Sequence, residues 1–125
     1  MTQALYSKDH EYVIVEGDVG VVGISDHAQA QLGDVVFVEL PAIGAVVARG
    51  AQAAVVESVK AASEVFAPAS GEIVAVNGAL EKEPSLINES AMGKGWLMKI
   101  RLSNPAELGD LMDEAAYQDY LGTLA

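Results

Sequence analysis

The chain has no cysteine, and its aromatic residues are few: two Phe, four Tyr and one Trp in 125 residues. Without cysteine there is no disulfide framework, no thiolate zinc site and no cysteine nucleophile. Two histidines are too few for a dedicated transition-metal site. Cations are also scarce. Seven Lys+Arg face eighteen Asp+Glu, a net charge of −11, with −5 over residues 1–60, −1 over 61–103 and −5 over 104–125. With no basic segment, neither a phosphate backbone nor an anionic membrane surface is an expected partner. No apolar run approaches the roughly 18 residues of a membrane span. Met1-Thr2-Gln3-Ala4-Leu5-Tyr6 has neither the apolar core of a signal peptide nor the Arg-rich pattern of a transit peptide. A bacterial cytoplasm is the expected location, although a mature mitochondrial form would read the same way.

What the chain does have is small and β-branched: 20 Ala and 16 Val. Such side chains suit thin, tightly packed sheets better than a broad helical core. The length fits one domain, residues 1–125, large enough to bury a core unaided. Tyr12 to Glu16, the stretch after Gly17-Asp18, Val35 to Leu40, Gln52 to Val59, Ala62 to Phe66 and Glu72 to Val76 read as strands. In a further strand, Trp96, Met98, Ile100 and Leu102 are expected to face inward, with Leu97, Lys99, Arg101 and Ser103 outward. Ser25 is placed to cap a short helix over Asp26 to Leu32, closed by Gly33. Asn104-Pro105-Ala106-Glu107 predicts a capping box, with Leu108, Leu111 and Met112 on one helical face. Tyr117, Tyr120, Leu121 and Leu124 predict a second C-terminal helix. Gly17–Val22 faintly echoes Gly71–Val76, a pattern that suits two equivalent sheets folded face to face.

Most familiar chemistry fails on spacing. Gly17, Gly20 and Gly23 recur every third residue, unlike a dinucleotide loop, and suit turns and close strand contacts. His10-Glu11 starts like a zinc-protease helix, but Ile14 occupies the second histidine's place and the segment reads as strand. No Gly-x-Ser-x-Gly elbow occurs. A paired-carboxylate hydrolase is possible on paper, yet an acidic β domain of this size is expected to keep its carboxylates in water.

The informative segment runs from Val55 to Pro68, where Gln52–Val59 and Ala62–Phe66 form a hairpin with Lys60-Ala61 at its tip. Read alone, a lysine there is a solvated charge. An exposed amine is almost wholly protonated at neutral pH and does not activate itself as a nucleophile. A covalent role for Lys60 is therefore that of substrate for another enzyme's acyl transfer, with the hairpin fixing where a mobile arm is attached.

At this point the chain resembles the H-protein family of the glycine cleavage system, from about Tyr6 to Tyr120. The residues that carry the likeness include His10-Glu11, Gly23-Ile24-Ser25-Asp26-His27-Ala28, Leu32 through Pro41 and Glu57-Ser58-Val59-Lys60-Ala61. Pro68, Ser70-Gly71-Glu72, Val76-Asn77, Asn88, Gly95-Trp96-Leu97 and Leu111-Met112 continue it. Tyr12 stands where the family often has Trp, and Ala91 where Pro is common; Ser25 replaces a frequent Thr.

The resemblance implies a mainly β fold, a hybrid β-sandwich (barrel-sandwich hybrid, lipoyl/biotinyl type) with short helices, including C-terminal ones. It implies lipoate as cofactor, joined by an amide to Lys60, with Glu57, Ser58, Val59 and Ala61 as the recognition motif. Expected partners are the glycine decarboxylase (P-protein), which loads an aminomethyl group, and the aminomethyltransferase (T-protein), which takes it. Dihydrolipoamide dehydrogenase (L-protein) reoxidises the dithiol, and a lipoate ligase or lipoyl/octanoyl transferase attaches the arm. The domain itself is expected to be non-catalytic and monomeric. The loaded arm is expected in a cleft at Asp9, Glu11, His27 and Glu64, with Glu11 and Glu64 holding its amine. Competing readings are an H-like lipoate-relay protein of another pathway, a biotin carrier and an acidic non-catalytic scaffold. Biotin domains usually flank the lysine with methionines, whereas Val59 and Ala61 stand here.

Overall fold

The computed structural model describes residues 4–123. The chain runs through β1 (Ala4–Tyr6), β2 (Glu11–Glu16), β3 (Val19–Ile24), α1 (Asp26–Leu32), β4 (Val35–Glu39) and β5 (Val46–Val47). It continues through β6 (Gln52–Ser58), β7 (Ala62–Phe66), β8 (Gly71–Val76), α2 (Ala79–Lys82), α3 (Leu86–Glu89) and β9 (Met98–Leu102). A 3-10 turn (Pro105–Asp110) and α4 (Glu114–Thr123) end the described residues.

Six strands form one antiparallel sheet in the order β1-β2-β3-β9-β8-β5, and β4-β6-β7 form another. Val13, Val22, Ile73, Met98 and Ile100 of the larger sheet join Val38, Ala54, Val56 and Val65 of the smaller in one buried cluster. Leu80 and Ile87 of α2 and α3 belong to it as well. Burying each Val, Leu, Ile or Met among them removes apolar surface worth about 1.5–3 kcal/mol from water. The two sheets with helical trim match the expected hybrid sandwich, and among the described residues neither closes into a barrel. Two strand glycines have their reason in close packing. A Cβ on Gly20 would come within 2.6 Å of Val13 Cγ2, and one on Gly23 within 2.6 Å of the Tyr12 hydroxyl. Gly17 turns β2 into β3 with φ at +66°.

Gly71 offers a test of this packing. A Cβ there would run into the Arg101 carbonyl across the strand pair and lie 2.6 Å from Ile100 Cγ2. Backbone gives way less easily than a side-chain tip, so Gly71→Ala is expected to cost about 2 kcal/mol, read as a lower urea midpoint at unchanged slope.

Several expected details differ. Asn104 makes no side-chain cap, and the segment it precedes is a 3-10 turn. Glu107 accepts instead from the Ser70 amide (2.7 Å) and hydroxyl (2.9 Å), with Arg49 beside it at 4.0 Å. A distant turn that needed an acceptor outcompeted the local capping box. The turn ends at Asp110, so Met112 shares no helical face with Leu108; it exchanges backbone hydrogen bonds with Tyr6 as an isolated bridge. Leu97 lies just before β9 and is fully buried, its amide donating to the Val22 carbonyl at 2.8 Å. Trp96 lies under the Lys99 ammonium instead of sharing the inner face of Met98. The echoing segments fall in one sheet, with Val22 and Val76 both partnered by Met98 from opposite sides, and so do not divide between two facing sheets. Of the expected C-terminal helix, Tyr117, Tyr120 and Leu121 lie on α4, while Leu124 lies outside the described residues.

Candidate functional site: the lysine hairpin and its cleft

Strands β6 and β7 pair Val55 with Glu64, Val56 with Ser63 and Glu57 with Ala62, leaving Val59, Lys60 and Ala61 as the tip. Ser58 organises that tip. Its amide donates to the Ala61 carbonyl at 2.8 Å, and its hydroxyl donates to the same oxygen at 3.1 Å. The hydroxyl also accepts from the amides of Lys60 (3.2 Å) and Ala61 (3.1 Å). A serine closing its own turn is the ST arrangement that short polar side chains favour. The Val59 amide donates to the Asp34 carbonyl at 3.0 Å, which ties the tip to the chain leaving α1.

Lys60 is exposed and forms no ion pair among the described residues. Its stem passes Gly33, where an added Cβ would sit 3.3 Å from Lys60 Cε. Gly33 also has φ at +78°, so the residue that ends α1 both needs glycine and leaves the lysine room. Of the expected motif, Ala61 and Val59 are exposed while Glu57 and Ser58 are half-buried. An outward primary amine on a loop braced by its own hydrogen bonds is chemically fit to carry an acyl group through an amide.

A cleft of about 270 Å³ opens between the β1–β2 connection, α1 and β7. All four expected cleft residues, Asp9, Glu11, His27 and Glu64, line it, together with His10, Gln31 and Ser63. Asp9 and Glu64 are exposed and His27 is half-buried. Glu11 differs from them: it is 2% exposed. One of its carboxylate oxygens accepts the Ser7 hydroxyl at 2.5 Å, and the other accepts the Phe66 amide at 3.1 Å, joining the larger sheet to the end of β7. Burial pushes this carboxyl up to about 7, against the two hydrogen bonds, which favour its charged form.

His10, which in the sequence belongs to a failed zinc pattern and to the family likeness but not to the expected cleft residues, forms a cleft wall. Its φ is +69°, a left-handed conformation uncommon for a residue with a side chain. Its Nδ1 lies 2.8 Å from the hydroxyl of Tyr117 on α4, which lies 2.7 Å from Ser25 Oγ. Ser25 Oγ accepts the Ala28 amide and so caps α1, as expected. One assignment satisfies all these atoms: the serine hydroxyl donates to the tyrosine oxygen, and the tyrosine hydroxyl to a neutral imidazole. Burial, reinforced by His27, lowers the His10 pKa, with Asp9 opposing, which agrees with the neutral ring. Tyr117 thereby holds both walls of the cleft from behind, its ring stacked on Tyr6 with centroids 4.2 Å apart. The signal available in the sequence was Tyr117 itself, a large polar aromatic in an otherwise weakly amphipathic helix. Tyr117→Phe is expected to cost about 1–2 kcal/mol by leaving the Ser25 and His10 atoms unpaired, measurable as a lower melting temperature.

What this fold fixes is the position of a side chain offered to other molecules, and that makes it a carrier domain. Comparison with known proteins gives the particular kind. The family model described as Glycine cleavage H-protein matches residues 4–123. The chain is 70% identical over 125 residues to the glycine cleavage system H protein of Xanthobacter autotrophicus, covering all of both chains. It is 63% identical over 124 residues to that of Beijerinckia indica, covering 99% of this chain and all of the other. The crystal structure of a glycine cleavage system H protein from Mycobacterium marinum superposes with a TM-score of 0.85 at 36% identity, over 97% of this chain and 95% of that one. The chain belongs to the glycine cleavage H-protein family, the lipoyl carriers of the glycine cleavage system.

Proposed function

We propose that Lys60 Nζ carries the lipoyl group as an amide and that the cleft at Asp9, Glu11, His27 and Glu64 receives the loaded arm. The observation that supports this is the hairpin tip itself: a self-braced loop, an exposed amine with no ion-pair partner among the described residues, and bare backbone at Gly33 beside its stem. Lipoate held at Lys60 would supply a disulfide, which is reduced as one sulfur accepts the aminomethyl group of glycine, and the dithiol left once that group is passed on would be reoxidised. The chain's own residues position and shelter. The carboxylates of Asp9 and Glu64 attract a bound ammonium at the cleft mouth, Glu11 adds charge from the floor, and His27 packs along the arm. The enzymes served are the glycine decarboxylase, the aminomethyltransferase and dihydrolipoamide dehydrogenase, with a ligase or acyltransferase attaching lipoate.

The relatives compared are bacterial, and no helix among the described residues is long and apolar enough to cross a membrane. A bacterial cytoplasm is the location we assign. The test is intact mass after expression with lipoate, followed by peptide mapping. A gain of one lipoyl group on Lys60 is expected, and its absence in cells competent for lipoylation overturns the assignment. For the cleft, Glu11→Gln with Glu64→Gln is expected to speed spontaneous loss of the aminomethyl group; an unchanged rate rejects that role.

A further inference from the structure

We infer that the outer face of the β4-β6-β7 sheet is the surface gripped by the lipoate-attaching enzyme, through an apolar patch on that enzyme rimmed by basic side chains. The inference rests on Lys60 being the attachment site. Strand register places Phe37, Glu57 and Ala62 in one row across the three strands, and Glu39, Val55 and Glu64 in another. The intervening row, Val38 and Val56, is buried, so by strand alternation both of these rows face outward. The outer face is therefore a checkerboard of apolar and acidic side chains that ends at Lys60.

Two irregularities enlarge its apolar part. The bulge between Val35 and Phe37 turns Val36 outward as well, leaving Val36 54% and Phe37 52% exposed. Val59, held to the Asp34 carbonyl, is 67% exposed next to Lys60. Glu39, Glu57 and Glu64 form no ion pairs among the described residues, although Lys8 lines a groove with Val55, Ala62 and Glu64 at one side of the face. Covering an exposed phenylalanine beside unneutralised carboxylates is favourable only for a partner that brings apolar area and cations together. A bulged edge strand also resists strand addition, so the contact is one of side chains.

The attaching enzyme fits this face better than the enzymes that work on the finished arm. Before acylation the reacting nitrogen stands only a lysine's length from the sheet, so the acylating enzyme has to close on that surface. In the step itself, Lys60 Nζ sheds one proton to a base on the enzyme and attacks the acyl carbon of an activated lipoyl donor. The C–N bond forms as the bond to the leaving group breaks, a second proton departs from nitrogen, and no redox change occurs.

The test uses the unmodified carrier with a lipoate ligase supplied with lipoyl adenylate, following amide formation by intact mass. Phe37→Glu is expected to lower kcat/KM at least ~10-fold with an unchanged melting temperature, while Phe37→Leu stays near the parent, because only the former loses the apolar contact. Rising salt is expected to slow the parent, as it screens the acidic face. Modification of Phe37→Glu at the parent rate, or a parent rate indifferent to salt, overturns the inference while leaving Lys60 as the attachment site. A parent that takes no lipoyl group at Lys60 overturns both, and shows this before any variant is made.

Discussion

Moving the lysine one place along the hairpin, in Lys60→Ala with Ala61→Lys, is expected to abolish lipoylation. The chain would keep one amine at the tip and the same net charge, so a recognition that needed only an exposed lysine would survive. Position 61 differs from position 60 in its attachments. Its amide donates to Ser58 Oγ, while its carbonyl accepts both the amide and the hydroxyl of Ser58. The backbone there is pinned at both ends, and a side chain one residue on leaves the chain in a different direction. It would also lose the open path beside Gly33 that Lys60 Cε now follows. A nitrogen displaced by more than an ångström from its productive place costs about 100-fold or more in rate. The measurement is intact mass after a fixed time with the attaching enzyme, where the parent is fully modified. Modification of the shifted lysine at the parent rate would show that position on the hairpin carries no information. A single variant, Ser58→Ala, separates geometry from register: the lysine stays in place while its turn loses the hydroxyl's three contacts, and partial slowing is the expected result.

The site was legible in the sequence to the extent that its geometry is local. The hairpin arms, the tip, the Ser25 cap and the Gly33 stop are all decided by residues within a few positions of one another, and each stands where the sequence put it. The four cleft residues also came together, although they lie on a loop, two strands and a helix, and family resemblance rather than periodicity placed them. What the sequence did not disclose depends on distant partners. Glu107 looked like a capping acid until the turn at Ser70 claimed both its oxygens, and His10 gained its role only when α4 brought Tyr117 against it. Two departures from the family pattern meet in the fold. The Tyr12 hydroxyl donates to the Ala91 carbonyl at 2.9 Å, so the Tyr and the position that lacks Pro form one contact 79 residues apart. Nothing in either segment alone gives that pairing. The short strands β1 and β5 and the single-turn helices α2 and α3 are not legible in the sequence because two to four residues are too few to show a period.

Glu11→Gln is expected to make the fold less sensitive to pH between about 4.5 and about 7. The carboxyl titrates near 4.5 when the chain is unfolded and near 7 in the folded protein, because burial disfavours its charge more than the Ser7 and Phe66 hydrogen bonds favour it. Between those values the folded state holds a proton that the unfolded state has lost. Stability contributed by this group is therefore fully present below about 4.5, falls as pH rises through the window, and is gone above about 7; the total is of the order of 3 kcal/mol. Glutamine keeps the shape and an oxygen for the Phe66 amide, and it does not titrate. Urea unfolding of parent and variant at pH 5 and pH 8 isolates the effect from the other carboxylates, which both proteins share. The variant is expected to gain on the parent by about 2.5 kcal/mol on going from pH 5 to pH 8, since pH 5 already lies inside the window; an equal difference at both pH values would mean that Glu11 titrates in the fold as it does in the open chain. The same proton reaches the cleft. Burial raises this carboxyl to about 7, so the floor of the cleft changes its charge at a higher pH than an ordinary carboxylate would, while exposed Asp9 and Glu64 stand at its mouth. A cationic group entering the cleft would draw the proton off Glu11, since a neighbouring positive charge favours the carboxylate. Occupancy of the cleft by an amine and ionisation of its floor are then linked, each strengthening the other.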